Sequence, residues 1–394
     1  MKASIFSKYL PLQLSFLVFS MLLNCMGIII LKYSGTQISY RGLGFLEFFK
    51  DIPIAIMSLA AVSFINKKGT KKSLITALTA VLLCCLLLPC LEGFWFFRLW
   101  FVVIGVSFAI AKIAIFAIIR NNSSDEKCLT IVMNRVEASF VIGVFCVNMG
   151  FGWLLSSMYS EFWKYGFWII GLISLCTILL LRKQNYMEIP AEKIHILHSA
   201  RQIFSLRNSI FFLIIFFLVF MEQGFNSWLP TFYRNNLKVN SFYSLQSTAF
   251  LALFSFLGRY LTSRLIVHFQ WKKYLFFCLA ALLFIMMAAQ LLMADVSRYL
   301  NLLMIIFPLL GLFLSPLYPL YNSKFLATTG KEKVNFFVSV IVVFSSLGSS
   351  FGSLAMSYIF HYSADTYFII FSLLPLIMII LLTLFFTKLT SITS

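Results

Sequence analysis

Charge is scarce in this chain, and negative charge scarcer still. Asp, Glu, Lys and Arg make up 11% of 394 residues, and Asp and Glu together number 13. A soluble domain carries about 25% charge, so that class is excluded. Histidine is almost missing: His195, His198, His268 and His361 are all there are, in loops or near the ends of apolar runs. No H-E-x-x-H, nucleophile elbow or phosphate loop occurs. That argues against an enzyme, a metal site and an ATP-driven pump, and no cofactor is expected. The eight cysteines include Cys84 and Cys85 side by side but no CxxC, so they form neither a disulfide framework nor a zinc site. An A-x-A-like cleavage site is lacking too. The basic start (Lys2, Lys8) and the apolar run to Leu31 therefore read as a first membrane span, not a signal peptide.

What is abundant is apolar surface, 61% of residues, including 46 Phe. Runs long enough to cross a bilayer fall at 9–33, 43–65, 72–91, 94–119, 128–158, 162–182, 208–233, 240–267, 274–294, 297–323, 333–361 and 365–388. The expected fold is an all-α integral membrane protein of twelve transmembrane helices in two pseudo-symmetric six-helix bundles, 1–182 and 208–394. A cytoplasmic linker, 183–207, joins them and carries AEKIHILHSARQIFSL, a candidate interfacial amphipathic helix. The net charge of +18 does not indicate nucleic acid, because most Lys and Arg fall in short loops. Twenty of the 31 lie on one side, six on the other and five within spans. The basic side faces the cytoplasm, which puts both termini there, in a bacterial inner membrane. A monomer is expected.

The halves echo each other. Lys71-Lys72 and Lys272-Lys273 are offset by 201 residues, and IGVSFAIAK around Gly105 parallels LGLFLSPLY around Gly311 at an offset of 206. A parallel repeat places a substrate site between halves, near the midplane.

Candidate residues are those that do not belong in lipid. An ionisable group at mid-bilayer costs about 2.5–3.5 kcal/mol on insertion scales. Glu47, Lys50 and Asp51 share one helical face. Glu47 is nearer the outer end and reads as structural. Asp51 is deeper, placed to exchange a proton, with Lys50 tuning it or touching substrate; the plainer alternative is an intrahelical ion pair. Arg135 and Glu137 are about 200° apart on a helix, so only one faces a cavity squarely. Glu137 is too short to snorkel and is assigned to the cavity, while Arg135 either snorkels or contacts substrate. Lys112 shares a face with Arg98. It either snorkels or is salt-bridged, or it is a cavity cation that binds an anionic or polyhydroxylated solute or pairs with Asp51 or Glu137. Glu222, Gln223, Asn226 and Trp228 cluster in the seventh span beside Gly224 and Pro230, where the helix can bend. Tyr318 and Asn322 lie beside the hinge prolines Pro316 and Pro319. Arg259 is noted as an in-span cation without a role. Gly348 and Gly352 form a GxxxG read as close helix packing, and the phenylalanines are read mostly as lipid-facing bulk.

The pattern of twelve spans, two halves and a central loop resembles the major facilitator superfamily. The family's G-x-x-x-D-R-x-G-R-R signature corresponds to VSFINKKGTK, where Lys67, Gly69 and Lys71 match in type and Asn66 stands for the Asp. MEQGFNSWLPTFYR (221–234), Asn134 with Glu137 and Gly143, and LSPLYPLYNS (314–323) are similar to segments of the fucose/glucose permease-like branch. The resemblance implies proton-driven uptake, with sugars as the default cargo.

The reading reached is a proton-coupled symporter importing a small polar organic solute, such as a sugar or organic acid, by alternating access. Asp51, Glu137 and Glu222 are the proton-coupling candidates. Lys50, Lys112, Asn134, Arg135, Gln223, Asn226, Trp228, Tyr318 and Asn322 are the substrate contacts. Asp51, Lys112 and Glu137 are expected in a common pocket. The in-span cations also suit an anionic polycarboxylate siderophore, imported or exported. A transporter-like receptor that moves no solute is the remaining alternative.

Overall fold

The computed structural model describes residues 2–25, 29, 46–91, 93, 95–156, 158–188, 205–239, 241–361 and 367–392. All regular structure among them is helical. The helices are α1 (Lys2–Leu23), α2 (Leu46–Lys68), α3 (Thr70–Leu87), α4 (Trp95–Asn122), α5 (Glu126–Ser156) and α6 (Gly166–Lys183). Then come α7 (Leu206–Asn235), α8 (Ser241–Leu265), α9 (Trp271–Leu292), α10 (Val296–Leu314), α11 (Leu317–Ala327), α12 (Val334–His361) and α13 (Phe368–Ile392). Every apolar run meets a helix among the described residues; for the first run that helix ends at Leu23. The tenth is broken into α10 and α11 at Ser315 and Pro316.

Among the described residues, nine segments are long and apolar enough to cross a membrane. One of them, Trp271–Ala327, is a run of 57 residues that contains α9, α10 and α11. The apolar part of α1, Lys8–Leu23, is shorter, because residues 26–28 and 30–45 lie outside the description. So do the start of the second run and the linker stretch 189–204 with its candidate amphipathic helix.

The chain divides into two compact units. The first comprises Met1–Ser124, Arg135–Ala191 and Thr329–Val343; the second comprises Asp125–Asn134, Glu192–Thr328 and Phe344–Ser394. The boundaries therefore cut α5 and α12, which each contribute their first turns to one unit and the remainder to the other.

In the first unit α4 is the core helix: 78% of its apolar window is buried, against 28% for α2. Gly105 makes its packing on α2 possible, since a methyl there would fall 2.6 Å from the Lys50 carbonyl oxygen. The second unit repeats the device. A methyl at Gly311 of α10 would fall 2.6 Å from the Leu251 carbonyl oxygen of α8. Gly311 lies 206 residues after Gly105 and Leu251 lies 201 after Lys50. The offsets seen in the sequence thus recur as a matching helix contact. Gly348 and Gly352 of α12 lie against the Phe216 and Phe220 carbonyl oxygens of α7, so the GxxxG is a packing motif.

Phenylalanine, read mostly as lipid-facing bulk, also builds part of the interior. Phe16, Phe19, Phe108 and Phe116 are buried together in the first unit. Phe211 stacks on Phe325 at 3.9 Å and Phe232 on Phe368 at 4.8 Å in the second. With so little polar surface available, helix–helix contacts are made from the same aromatic side chains that elsewhere meet lipid.

The signature region of the first unit is held by uncharged and borrowed groups. Asn66, where the family has Asp, accepts a 2.6 Å bond from the Asn335 amide of α12. The carboxylate comes instead from the segment after α6: Glu188 accepts from the Lys71 backbone N–H at 2.8 Å and from the Thr70 hydroxyl at 3.3 Å. It thereby satisfies an N–H of the first turn of α3, whose N-cap Gly69 has no side chain to do so. Two residues back, Tyr186 donates to the Lys8 carbonyl at 2.8 Å. Burial, with Tyr9 alongside, holds that phenol above its usual value.

Candidate functional site

The candidate residues separate by unit. Lys50, Asp51, Lys112, Arg135 and Glu137 belong to the first; Asn134, Glu222, Gln223, Asn226, Trp228, Tyr318 and Asn322 belong to the second.

In the first unit, α2 carries Lys50 and Asp51 where α4 comes closest, at Gly105. Their side chains pair at 3.7 Å, each 13% exposed. The plainer alternative, an intrahelical ion pair, is therefore made. Glu47 begins the same helix, and its side chain lies outside the description. Glu137 of α5 is buried, 5% exposed, while Arg135 two residues earlier is half-buried. Lys112 is half-buried on α4, with its ammonium 5.6 Å from the Phe108 ring centre and 5.8 Å from that of Phe116. Those rings stand one turn to either side of it, and Phe16 of α1 packs on both. The cation thus sits against negative ring faces. Arg98 is exposed, 5.7 Å from the Phe49 ring centre.

In the second unit, Gln223 donates to the Ser227 hydroxyl at 2.9 Å. The Trp228 indole donates to the Ser353 carbonyl at 3.0 Å, so this tryptophan is tied to α12, and Asn226 is exposed. Tyr318 is buried with its hydroxyl 3.3 Å from that of Ser345. Asn322 is fully buried on α11, and neither its amide nitrogen nor its amide oxygen has a hydrogen-bond partner among the described residues. Asn134 is also fully buried; its nitrogen donates to the Thr130 carbonyl at 3.0 Å, and its oxygen accepts nothing from the described residues. Each such group costs about 1–3 kcal/mol if left unsatisfied. The same elements meet one turn below, where Thr130 donates to the Ser323 hydroxyl at 2.8 Å.

Sequence reasoning missed two arrangements in this unit. Arg259 of α8, left without a role, bonds Glu222 of α7 at 2.9 Å with side-chain exposures of 3% and 26%. Its Nε donates to the Ser315 carbonyl at 3.1 Å. A buried cation demands a counter-ion, and Glu222 on the preceding helix was the available signal. Lys324 donates to both oxygens of Glu126, at 2.7 and 2.8 Å, and lies 5.0 Å from the Trp271 ring centre. These three residues line a cavity of about 640 Å³ with Thr130, His268 and Lys272 among others. None of the candidate residues named from sequence lines it. Its charged ion pair sat in a stretch read as loop and helix end, where charge is expected and draws no notice.

Among the described residues no group of His, Cys, Asp and Glu could hold a metal ion.

No curated protein matches this sequence. Among solved structures, the fucose:proton symporter of E. coli shares the fold with a TM-score of 0.77 at 15% identity, covering 95% of this chain and 97% of that one. A proton:xylose symporter gives 0.77 at 14% identity, covering 98% and 96%. The human organic anion transporter MFSD10 gives 0.73 at 16% identity, covering 95% and 98%. Identity this low makes the likeness one of fold. The family model described as Major Facilitator Superfamily matches residues 12–307. That is most of the chain, in agreement with its apolar helices and internal repeat: this is an integral membrane protein of the major facilitator superfamily, a transporter and not an enzyme.

Proposed function

We propose that the chain is a proton-coupled symporter that imports a small polar organic solute, a sugar in the first instance, by alternating access. In this reading the thirteen helices form twelve spans, with α10 and α11 as one broken span. The halves 1–182 and 208–394 are the repeated units, and both termini are cytoplasmic. The observation that carries the reading is the carboxylates set within apolar helices: Glu137 at 5% exposure, Asp51 beside Lys50, and Glu222 beside Arg259. A carboxyl group in such surroundings takes up and releases a proton as its access to water changes. Asn134 and Asn322 supply amides able to bond a hydroxylated solute, with Gln223, Asn226, Trp228 and Tyr318 as further contacts and Lys50, Lys112 and Arg135 as cationic ones. The fold neighbours transport fucose and xylose with protons, so these are the sugars to try first.

The test is transport into proteoliposomes with labelled fucose or xylose. Glu137→Gln is expected to abolish accumulation driven by an imposed pH gradient while counterflow continues. Undiminished accumulation would remove Glu137 from the coupling set. A second reading, an anionic cargo such as a polycarboxylate siderophore, is favoured by Lys112 held between Phe108 and Phe116. Uptake of labelled ferric citrate, unaffected by hexoses, would select it.

A further inference from the structure

Two prolines stand at the break between α10 and α11, Pro316 within it and Pro319 in the first turn of α11, and each leaves a carbonyl without its helical donor. Pro316 offers no N–H to the Leu312 oxygen, and Pro319 offers none to the Ser315 oxygen. Helix α8 packs against the first and donates to the second. Gly258 lies so close to the Leu312 oxygen that no side chain would fit. The next residue, Arg259, donates its Nε–H to the Ser315 oxygen at 3.1 Å. One turn earlier, the Ser255 carbonyl accepts a 2.8 Å bond from the Ser315 hydroxyl. The far edge of the same guanidinium reaches α7, where Nη2 donates to Glu222 Oε1 at 2.9 Å. One arginine therefore spans the carboxylate and the break. Arg259 is 3% exposed and Glu222 is 26% exposed, so the carboxylate is the accessible member of the pair and the cation is enclosed.

We infer that Arg259 is a positioning residue that ties the charge of Glu222 to the α10–α11 break. While Glu222 is ionised, its carboxylate holds the guanidinium with Nε on the Ser315 oxygen. When Glu222 takes up a proton, the buried cation loses its counter-ion, a strongly unfavourable condition, and turns towards other polar partners. The Ser315 oxygen then loses its donor and the break loosens. The remaining charged side chains on the elements packed against α7 stand near helix ends: Arg264 on α8, Arg298 on α10, Lys324 on α11 and Lys388 on α13. Helix α12 carries no Lys, Arg, Asp or Glu. The proposal rests on the reading of Glu222 as a proton-coupling group for its trigger, and its test does not depend on transport.

Hydrogen–deuterium exchange is measured on the purified full-length chain in lipid nanodiscs, following the peptide 312–321. Glu222→Gln is expected to raise its exchange rate several-fold while α3 and α4 stay unchanged. Arg259→Lys, which keeps the charge but cannot span both partners, gives the same rise. Adding Pro319→Ala to Glu222→Gln restores an N–H for the Ser315 oxygen and returns exchange to the parent level. Pro319→Ala alone slows exchange below the parent, which keeps the idea testable if the other variants do not fold. Unchanged exchange in Glu222→Gln would overturn the proposal, and so would a rise spread evenly over the second unit or failure of Pro319→Ala to protect the break. Failure of sugar uptake in the parent would sink the symport reading and leave these outcomes as they are.

Discussion

Both units hold a carboxylate and a cation within their helices, and they hold them differently. Lys50 and Asp51 are neighbours on one helix, 3.7 Å apart and equally exposed. Glu222 and Arg259 come from two helices, 2.9 Å apart, with the arginine almost fully buried and bonded to a backbone carbonyl as well. The first pair forms whenever α2 forms. The second exists only when α7, α8 and the α10–α11 break are assembled. A local pair of this kind contributes little, whereas a buried one binds its surroundings to its charge state.

The sharpest way to break that contrast is to remove one buried partner. Arg259→Met should lower stability by about 3–5 kcal/mol, because Glu222 loses its counter-charge in an apolar setting. The loss will show as a fall in the melting midpoint of the purified protein. The double variant Glu222→Gln with Arg259→Met should recover much of it. If Arg259→Met melts with the parent, the two pairs are alike after all.

Next in size are the matching glycines. Gly105→Ala and Gly311→Ala each place a methyl 2.6 Å from a carbonyl oxygen of a neighbouring helix, and each should cost about 1–3 kcal/mol through forced repacking. Near-equal losses in the two melting midpoints would sharpen the repeat, and a loss at one site only would break it.

Glu126→Gln removes a pair whose acid is 40% exposed. It should change the melting midpoint little, by less than about 1 kcal/mol, and less again in high salt. Asp51→Asn is read by function rather than by stability. There the informative measurement is pH-driven accumulation of sugar, which should be lost while counterflow persists. Retained accumulation would leave Lys50–Asp51 as an ion pair and nothing more.

Much of this was legible beforehand. Lipid cannot hydrogen-bond a backbone, so each long apolar run had to be a helix, and the helix ends follow the polar punctuation between runs. The spacing of Gly105 and Gly311 announced a repeat that recurs as a shared packing contact. Arg259 could be seen as misplaced, but its partner could not, because pairing between helices depends on their rotation and depth, which periodicity leaves open. For the same reason Phe16, Phe108 and Phe116 were indistinguishable from lipid-facing phenylalanines, since both surroundings are apolar. Glu188 was hidden by its position in a polar loop, although its carboxylate accepts from the first turn of α3 at Thr70 and Lys71.

The sequence by itself determined that this chain is a set of membrane helices with charge placed inside them. Those properties follow from solvent exclusion and backbone hydrogen bonding, which act residue by residue. The tertiary structure decided which charges meet. Lys50 found its partner next door, Arg259 found one on another helix and a proline-orphaned carbonyl on a third, and Asn134 and Asn322 were left with buried amide atoms that bond nothing among the described residues. Such choices turn on ångström-scale distances between helices, set by where a glycine admits close approach and where a proline breaks the rod.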